Sequence, residues 1–227
     1  MFPTAVIFDF DGVIVDTEPI HYQAFQKILE PIGLGYSWQD YVSTYMGFDD
    51  RDAFKAAYKA ADKELTNTRL YELIELKATT FQQIIKNGVS PYSGVLELIN
   101  ELAMNKVPLA ICSGALRCDI IPILDVFGIK NCFEHITTAD DVEQSKPDPA
   151  CYLMTKQLLL NTHPELNDTL KRVYVIEDTP AGIESAKRAD LTVIAVTNSY
   201  PSSQLHHANH CVESLSELIG GNWPEHV

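Results

Sequence analysis

The stretch Val6-Ile7-Phe8-Asp9-Phe10-Asp11-Gly12-Val13 constrains the fold most. Its uncharged apolar start reads as a strand buried on both faces of a parallel sheet. The two carboxylates after it fall at the carboxyl end of that strand, where doubly wound sheets bind ligands. Strand alternation places Asp9 and Asp11 on one side, and Gly12 lets the chain turn sharply away. Carboxylates held this close repel each other unless a cation or a shared proton intervenes. A divalent metal answers this most simply, and magnesium is the hard, oxygen-preferring candidate. An acidic turn after an ordinary strand is the plainer alternative.

Further apolar runs follow at Val107–Cys112, Arg172–Ile176 and Thr192–Val196, with a weaker one near Phe133–Ile136. Helical patterns separate them, the βαβ rhythm of a doubly wound α/β sheet. Asp148-Pro149 and Thr179-Pro180 each read as an N-cap followed by proline at the first helical position. From Thr17 to Val89 the rhythm stops. That segment shows helical runs near His21–Leu29, Trp38–Tyr45, Asp52–Ala61 and Leu70–Lys86, and no convincing strand. It is too long for one crossover and reads as an inserted helical cap domain, residues 17–89, in a core formed by residues 1–16 and 90–227. The hinges are expected near Val13–Glu18 and Asn87–Gly94.

A chain of 227 residues can hold a core and such an insertion. Its net charge of −14 argues against nucleic-acid binding, which needs a basic surface. No apolar run is long enough to span a membrane, and no basic region precedes the first apolar run, as a signal peptide requires. The five cysteines are scattered without a CxxC pair and read as reduced thiols of a cytoplasmic protein.

The later runs also end in polar groups. Ser113-Gly114 offers a hydroxyl and backbone amides for phosphate oxygens, or Ser113 simply N-caps the next helix. Lys146 sits between Ser145 and Pro147 near a second proline, a stiff setting for a fixed lysine, or it is an exposed loop residue. Glu177-Asp178 is a second acidic pair at a strand end, suited to a metal, or a pair of acids complementing a helix dipole. Together these strand ends deliver four carboxylates, a hydroxyl and a lysine to one edge, which suits magnesium, a phosphate and a nucleophilic aspartate.

These motifs, Asp9-Phe10-Asp11-Gly12-Val13, Ser113-Gly114, Lys146-Pro147 and Glu177-Asp178 with Gly182, resemble those of the haloacid dehalogenase (HAD) superfamily in type and order. The resemblance covers the whole chain and is greatest to the helical-cap branch of phosphoglycolate phosphatases and beta-phosphoglucomutase. It implies a Rossmann-like core and a magnesium-dependent phosphohydrolase acting on a small, sugar-phosphate-like metabolite through an aspartyl-phosphate. By the resemblance, Asp9 is the nucleophile and Asp11 the acid/base. Asp9, the Asp11 carbonyl and Asp178 bind Mg2+, and Glu177 ligates through water or orients the site. Ser113 and Gly114 hold phosphate oxygens, and Lys146 links nucleophile and phosphate.

Within the family, dehalogenation is disfavoured because Asp11 has an evident use only with an oxygen leaving group. A phosphohexomutase of the beta-phosphoglucomutase type is the alternative. Thr17 and His21 match its hinge pattern, although His21 also reads as a partly buried helix residue. The Met46-Gly47-Phe48-Asp49-Asp50-Arg51 stretch aligns with the mutase substrate loop. That loop has lysine before the glycine and arginine three residues after it, where this chain has Met46 and Asp50. Since a second phosphate is usually gripped by arginine or lysine, the reading favours a phosphatase. Thr17, His21, Gly47, Arg51 and Lys77 remain cap candidates for substrate contact, with a solvated helix face as the plainer reading of the cap cations. A receiver-type phospho-acceptor or a non-catalytic binding protein is the different-class alternative. A monomer or weak homodimer is expected.

Overall fold

The computed structural model describes residues 1–86 and 88–224. Asn87, where the second expected hinge begins, lies outside the described residues. By its internal contacts the chain divides into a core unit, Met1–Asp16 with Pro91–Val227, and a cap unit, Thr17–Ser90.

The core unit is built on six parallel strands, β1 (Ala5–Phe8), β2 (Leu109–Cys112), β3 (His135–Thr137), β4 (Val173–Glu177), β5 (Thr192–Val196) and β6 (His210–Val212). Their order in the sheet is β3-β2-β1-β4-β5-β6. The chain leaves β1 towards one edge and returns to its other side at β4, so the topological switch point lies at β1 and β4, where such sheets place ligands. Its helices are α4 (Val95–Met104), α5 (Arg117–Phe127), α6 (Ala150–Thr162) and α7 (Pro180–Arg188). Ala5 and Ile7 of β1, Ala110 and Cys112 of β2, and Val173 and Val175 of β4 pack with Cys151, Tyr152 and Leu159 of α6 and Ile183 of α7. Phe8 points to the opposite face, edge-on to Phe133. All four residues of β1 are fully buried, as expected for a central parallel strand.

The cap unit is helical, with α1 (Glu18–Leu29), α2 (Asp50–Ala60) and α3 (Asn67–Ile85). Phe25, Ile28 and Leu29 of α1 pack with Phe54 and Ala57 of α2 and with Leu70 and Leu73 of α3. Asp49 N-caps α2 by accepting from the Asp52 amide, and Thr66 caps α3 through the Arg69 amide. The expected helix Trp38–Tyr45 is instead one α turn, Trp38–Asp40, that passes into a π turn, Tyr41–Tyr45.

Several expected boundaries move. β2 starts at Leu109, because Pro108 has no N–H for the ladder. β3 starts at His135, and Phe133 instead follows the 3-10 turn Lys130–Cys132. Pro149 rather than Asp148 occupies the N-cap of α6, while the Asp148 carboxylate accepts from the Ala150 amide at 2.9 Å. Thr179 caps α7 as the sequence suggests, with Pro180 at the first helical position. The sixth strand was not anticipated. It has only three residues, and Cys211 at its centre is exposed. Among the described residues no helix is long and apolar enough to cross a membrane.

Candidate active site

Period-two alternation carries the inward rows of three neighbouring strands to one edge. Ala5 and Ile7 lead to Asp9, Ala110 leads to Cys112, and Val173 and Val175 lead to Glu177. The Asp9 amide extends the ladder one step past β1, donating to the Ile176 carbonyl at 2.9 Å. Asp11 is not part of that alternation. It lies beyond the strand in an isolated bridge with Val15, and Gly12 returns its amide to the Val15 carbonyl at 3.0 Å.

Lys146 ties the edge together. It comes from the loop between β3 and α6, not from a strand end. Its Nζ lies 2.9 Å from Asp9 Oδ1 and 2.7 Å from Glu177 Oε1. It also donates to the Cys112 carbonyl at 3.2 Å and the Tyr152 hydroxyl at 3.3 Å. Its side chain is only 8% exposed, so the exposed-loop reading of Lys146 is wrong. Burial disfavours its charge, but Asp9 and Glu177 outweigh this and hold its pKa well above the usual lysine value.

Glu177 is fully buried and heavily bonded. Oε1 accepts from Lys146 and from Tyr152 Oη at 2.8 Å. Oε2 accepts from the amides of Asp178 and Thr179 at 3.1 and 3.3 Å and from Thr179 Oγ1 at 3.1 Å. The dipole-acid reading of this pair is therefore partly right, because these amides lead into α7.

Asp9, Glu177 and Asp178 are all buried, and one oxygen of each lies within 4.8 Å of the others. Burial raises the Asp9 carboxyl to about 8, the Glu177 charge adds to this, and Lys146 offsets only part of it. A compact, all-oxygen, anionic donor set of this kind fits a hard divalent cation. The Asp11 carboxylate is outside this group of three, although its charge still reaches Asp9.

Two glycines make the approach possible. Gly12 has φ +77°, and a Cβ there would lie 1.9 Å from Asp178 Oδ2. A Cβ on Gly182 would lie 1.8 Å from Glu177 Oε1. Either substitution collides with a site carboxylate.

By register, Asp9 is level with Cys112, and Ser113 lies one residue further along the neighbouring strand. Ser113 is buried, and its hydroxyl accepts from the Ala115 amide at 3.0 Å. It is not a helix N-cap, since α5 begins at Arg117 with Leu116 in that position. A Cβ on Gly114 would meet nothing within 4 Å.

In the cap unit His21, Lys77 and Asp50 come together. Lys77 Nζ is 2.8 Å from Asp50 Oδ1 and 2.8 Å from His21 Nδ1. His21 is buried and stacks on Phe81. With 1% exposure, Lys77 is not on a solvated helix face. Arg51 pairs with Asp49 at 2.6 Å. Thr17 is buried at the N-cap of α1 without a capping side-chain bond, and Gly47 has φ +83°.

Sequence reasoning missed Tyr152 and Asn198; it gave Thr179 its capping role but not its bond to Glu177, and named Asp50 only as a departure from the mutase loop, not as the partner of Lys77. Asn198 Nδ2 donates to the Gly12 carbonyl at 2.7 Å and pins the first loop.

The family model described as haloacid dehalogenase-like hydrolase matches residues 6–196. The chain belongs to the haloacid dehalogenase-like hydrolase family. Within it, the phosphorylated carbohydrates phosphatase of Thermotoga maritima is 29% identical over 82% of this chain and 82% of its own length. The validoxylamine A 7'-phosphate phosphatase of Streptomyces hygroscopicus subsp. limoneus is 27% identical over 96% of this chain and 95% of its own. The crystal structure of beta-phosphoglucomutase from Clostridium difficile superposes with a TM-score of 0.81 at 25% identity, covering 96% of this chain and 93% of that one. The HAD-like fold thus extends over core and cap sequences alike.

Proposed function

We propose that this protein is a magnesium-dependent phosphohydrolase that removes phosphate from a small phosphorylated carbohydrate-like metabolite. The observation that carries the reading is the buried group of Asp9, Glu177 and Asp178 around Lys146. Family membership and the names of the two related phosphatases support it.

The Asp9 carboxylate attacks phosphorus, and the bond from phosphorus to the ester oxygen breaks. Asp11 gives its proton to the departing alkoxide. It then takes a proton from water as that water attacks the aspartyl-phosphate, which releases inorganic phosphate and restores Asp9. Ser113 and the Gly114 amide hold phosphoryl oxygens. Lys146 keeps Asp9 placed and offsets charge on the transferring group.

Asp9, Asp178 and the Asp11 carbonyl would hold Mg2+. Both Glu177 oxygens already accept from protein donors, which suits orienting the site better than direct ligation. When bound, the ion supplies positive charge to the phosphoryl oxygens and to Asp9.

Hydrolysis is favoured over mutase chemistry by the cap cations. Lys77 is paired with Asp50 and Arg51 with Asp49, so a second phosphate would have to compete with these carboxylates. On the sequence resemblance alone, Thr17, His21, Gly47, Arg51 and Lys77 are the cap residues proposed to set preference among phosphomonoesters. The test is a screen of sugar phosphates, phosphoglycolate and nucleotides with and without magnesium. Turnover that is highest on sugar monophosphates and lost on chelation is expected. Turnover unchanged by full chelation overturns the reading.

A further inference from the structure

The thiols of Cys112 and Cys151 have no role in this chemistry, yet they meet directly behind it. Cys112 ends β2, and Cys151 lies in the first turn of α6. Their sulfurs are 2.7 Å apart. Both side chains are buried, at 0% and 4% exposure. Around them are the functional loops. The Cys112 carbonyl accepts from Lys146 Nζ, and Ser113 is the next residue. Cys151 Sγ is itself 3.9 Å from the Ser113 carbonyl and 4.0 Å from the Thr137 carbonyl.

We infer that Cys112 and Cys151 form a redox modification site, which peroxide converts to a reversible intramolecular disulfide that displaces the end of β2 holding Lys146 and Ser113. One thiolate attacks a peroxide oxygen, breaks the O–O bond and becomes a sulfenic acid. The hydroxide expelled takes up the thiol proton and leaves as water. The second sulfur attacks the sulfenic sulfur, so that the S–S bond forms and the S–O bond breaks. The second thiol proton leaves with that hydroxyl as another water. The sulfurs together lose two electrons and the peroxide gains them.

Closure brings the sulfurs to about 2.05 Å. The movement is transmitted to the Cys112 carbonyl and to Ser113, and an error of about 1 Å in placing such groups costs on the order of 10²-fold in rate. Burial pushes the Cys112 thiol up and disfavours its thiolate, so the oxidation is slow. Cys118 and Cys211, both exposed, react with blocking reagents first.

The full chain is treated with hydrogen peroxide, its remaining thiols are alkylated, and its peptides are mapped by mass spectrometry. A Cys112–Cys151 cross-linked pair that dithiothreitol reverses is expected. Turnover of p-nitrophenyl phosphate should fall by about tenfold or more as the cross-link accumulates, and return on reduction. The Cys118→Ser/Cys132→Ser/Cys211→Ser variant should respond in the same way. Cys151→Ser should keep basal turnover within about twofold and lose the peroxide response. Alkylation of both buried thiols after peroxide, turnover unchanged by complete cross-linking, or an undiminished peroxide response in Cys151→Ser each overturns the inference. If the reduced protein cleaves no phosphomonoester, the phosphatase reading falls separately. Cross-link mapping with amide exchange at residues 113–116 then decides, and unchanged exchange in the cross-linked protein overturns the inference.

Discussion

Each unit of this molecule buries a lysine against carboxylate, and the two settings differ in charge. Lys146 of the core is 8% exposed and Lys77 of the cap 1%. Lys146 faces Asp9 and Glu177, with the Asp178 carboxylate beside them. Within its own unit, Lys77 pairs with Asp50, touches His21, and lies over the rings of Phe25 and Phe81. The cap arrangement is a buried ion pair supported by hydrogen bonding and ring faces, as such pairs need to be. The core arrangement leaves an excess of negative charge. Even with Lys146 at 2.9 Å, burial and Glu177 raise the Asp9 carboxyl to about 8. The Asp9 carboxyl thus stays above the ordinary carboxylate range despite its lysine. Both lysines are buried, and it is the additional buried carboxylates around Lys146 that separate the core site from the cap pair.

The largest expected effect tests that distinction at the carboxylates. Asp9→Asn should reduce turnover by about 10⁴-fold or more while keeping the fold, because the amide has similar shape and little nucleophilicity. Asp50→Asn should change turnover of p-nitrophenyl phosphate by less than about tenfold. Steady-state rates and thermal melts of both variants measure this. Equal losses would erase the functional difference between the two sites.

Exchanging the lysines sharpens the comparison. Lys146→Met strands the buried Asp9 and Glu177 and should cost about 3–5 kcal/mol of stability in urea unfolding, and Lys77→Met strands the partly buried Asp50 and should cost towards the lower end of that range. The cap cost should be largely recovered in Lys77→Met/Asp50→Asn, which leaves a neutral pair. In Lys146→Met/Asp9→Asn recovery should be partial, since fully buried Glu177 still lacks its lysine. Equal recovery in the two double variants would contradict the charge-excess argument.

Tyr152→Phe should have a smaller effect, about 1.5–3 kcal/mol, the range for a hydrogen bond to a charged group. It removes the donor at 2.8 Å from Glu177 Oε1 and leaves the ring under Lys146. A loss below about 0.5 kcal/mol would mean that Lys146 satisfies that oxygen by itself.

The core site was legible where strand periodicity carries it. Asp9 and Glu177 follow from the apolar runs of β1 and β4 that end at them, and Gly12 from the turn after β1, whereas the close approach of Gly12 to Asp178 and of Gly182 to Glu177 is set by tertiary packing. Tyr152 was not legible, because its role depends on how α6 crosses the sheet, and nothing in its local sequence records that. The cap ion pair was hidden for a similar reason. Asp50 starts α2 and Lys77 lies in α3, so only tertiary packing joins them. A lysine in a helical run looks solvated until its distant partner is known. β6 escaped notice because a three-residue edge strand with an exposed central residue carries no apolar run.

The smallest expected effect concerns a charge pair at the surface, the opposite limit to both buried lysines. His163 Nε2 lies 2.6 Å from Glu134, and its Nδ1 lies 3.4 Å from Glu165. The hydrogen bond that His163 donates to the Glu134 carboxylate raises the imidazole above its ordinary 6.5, against a smaller opposing effect of burial. A group whose pKa is higher folded than unfolded stabilises the fold fully below the unfolded value. That contribution disappears as pH rises through the folded value. Wild type should therefore exceed His163→Gln in stability at pH 5.5 and match it more closely at pH 8.5. The groups are partly solvated, with side-chain exposures of 24%, 38% and 73% for His163, Glu134 and Glu165, so the difference should stay within the ~0.2–1 kcal/mol found for surface pairs. It should also shrink at high ionic strength, where exposed charges are screened, unlike the costs at Lys146 and Lys77. Urea unfolding of both proteins at the two pH values, in low and high salt, measures it. A gap between wild type and variant that widened towards pH 8.5 would have the wrong sign for this pair.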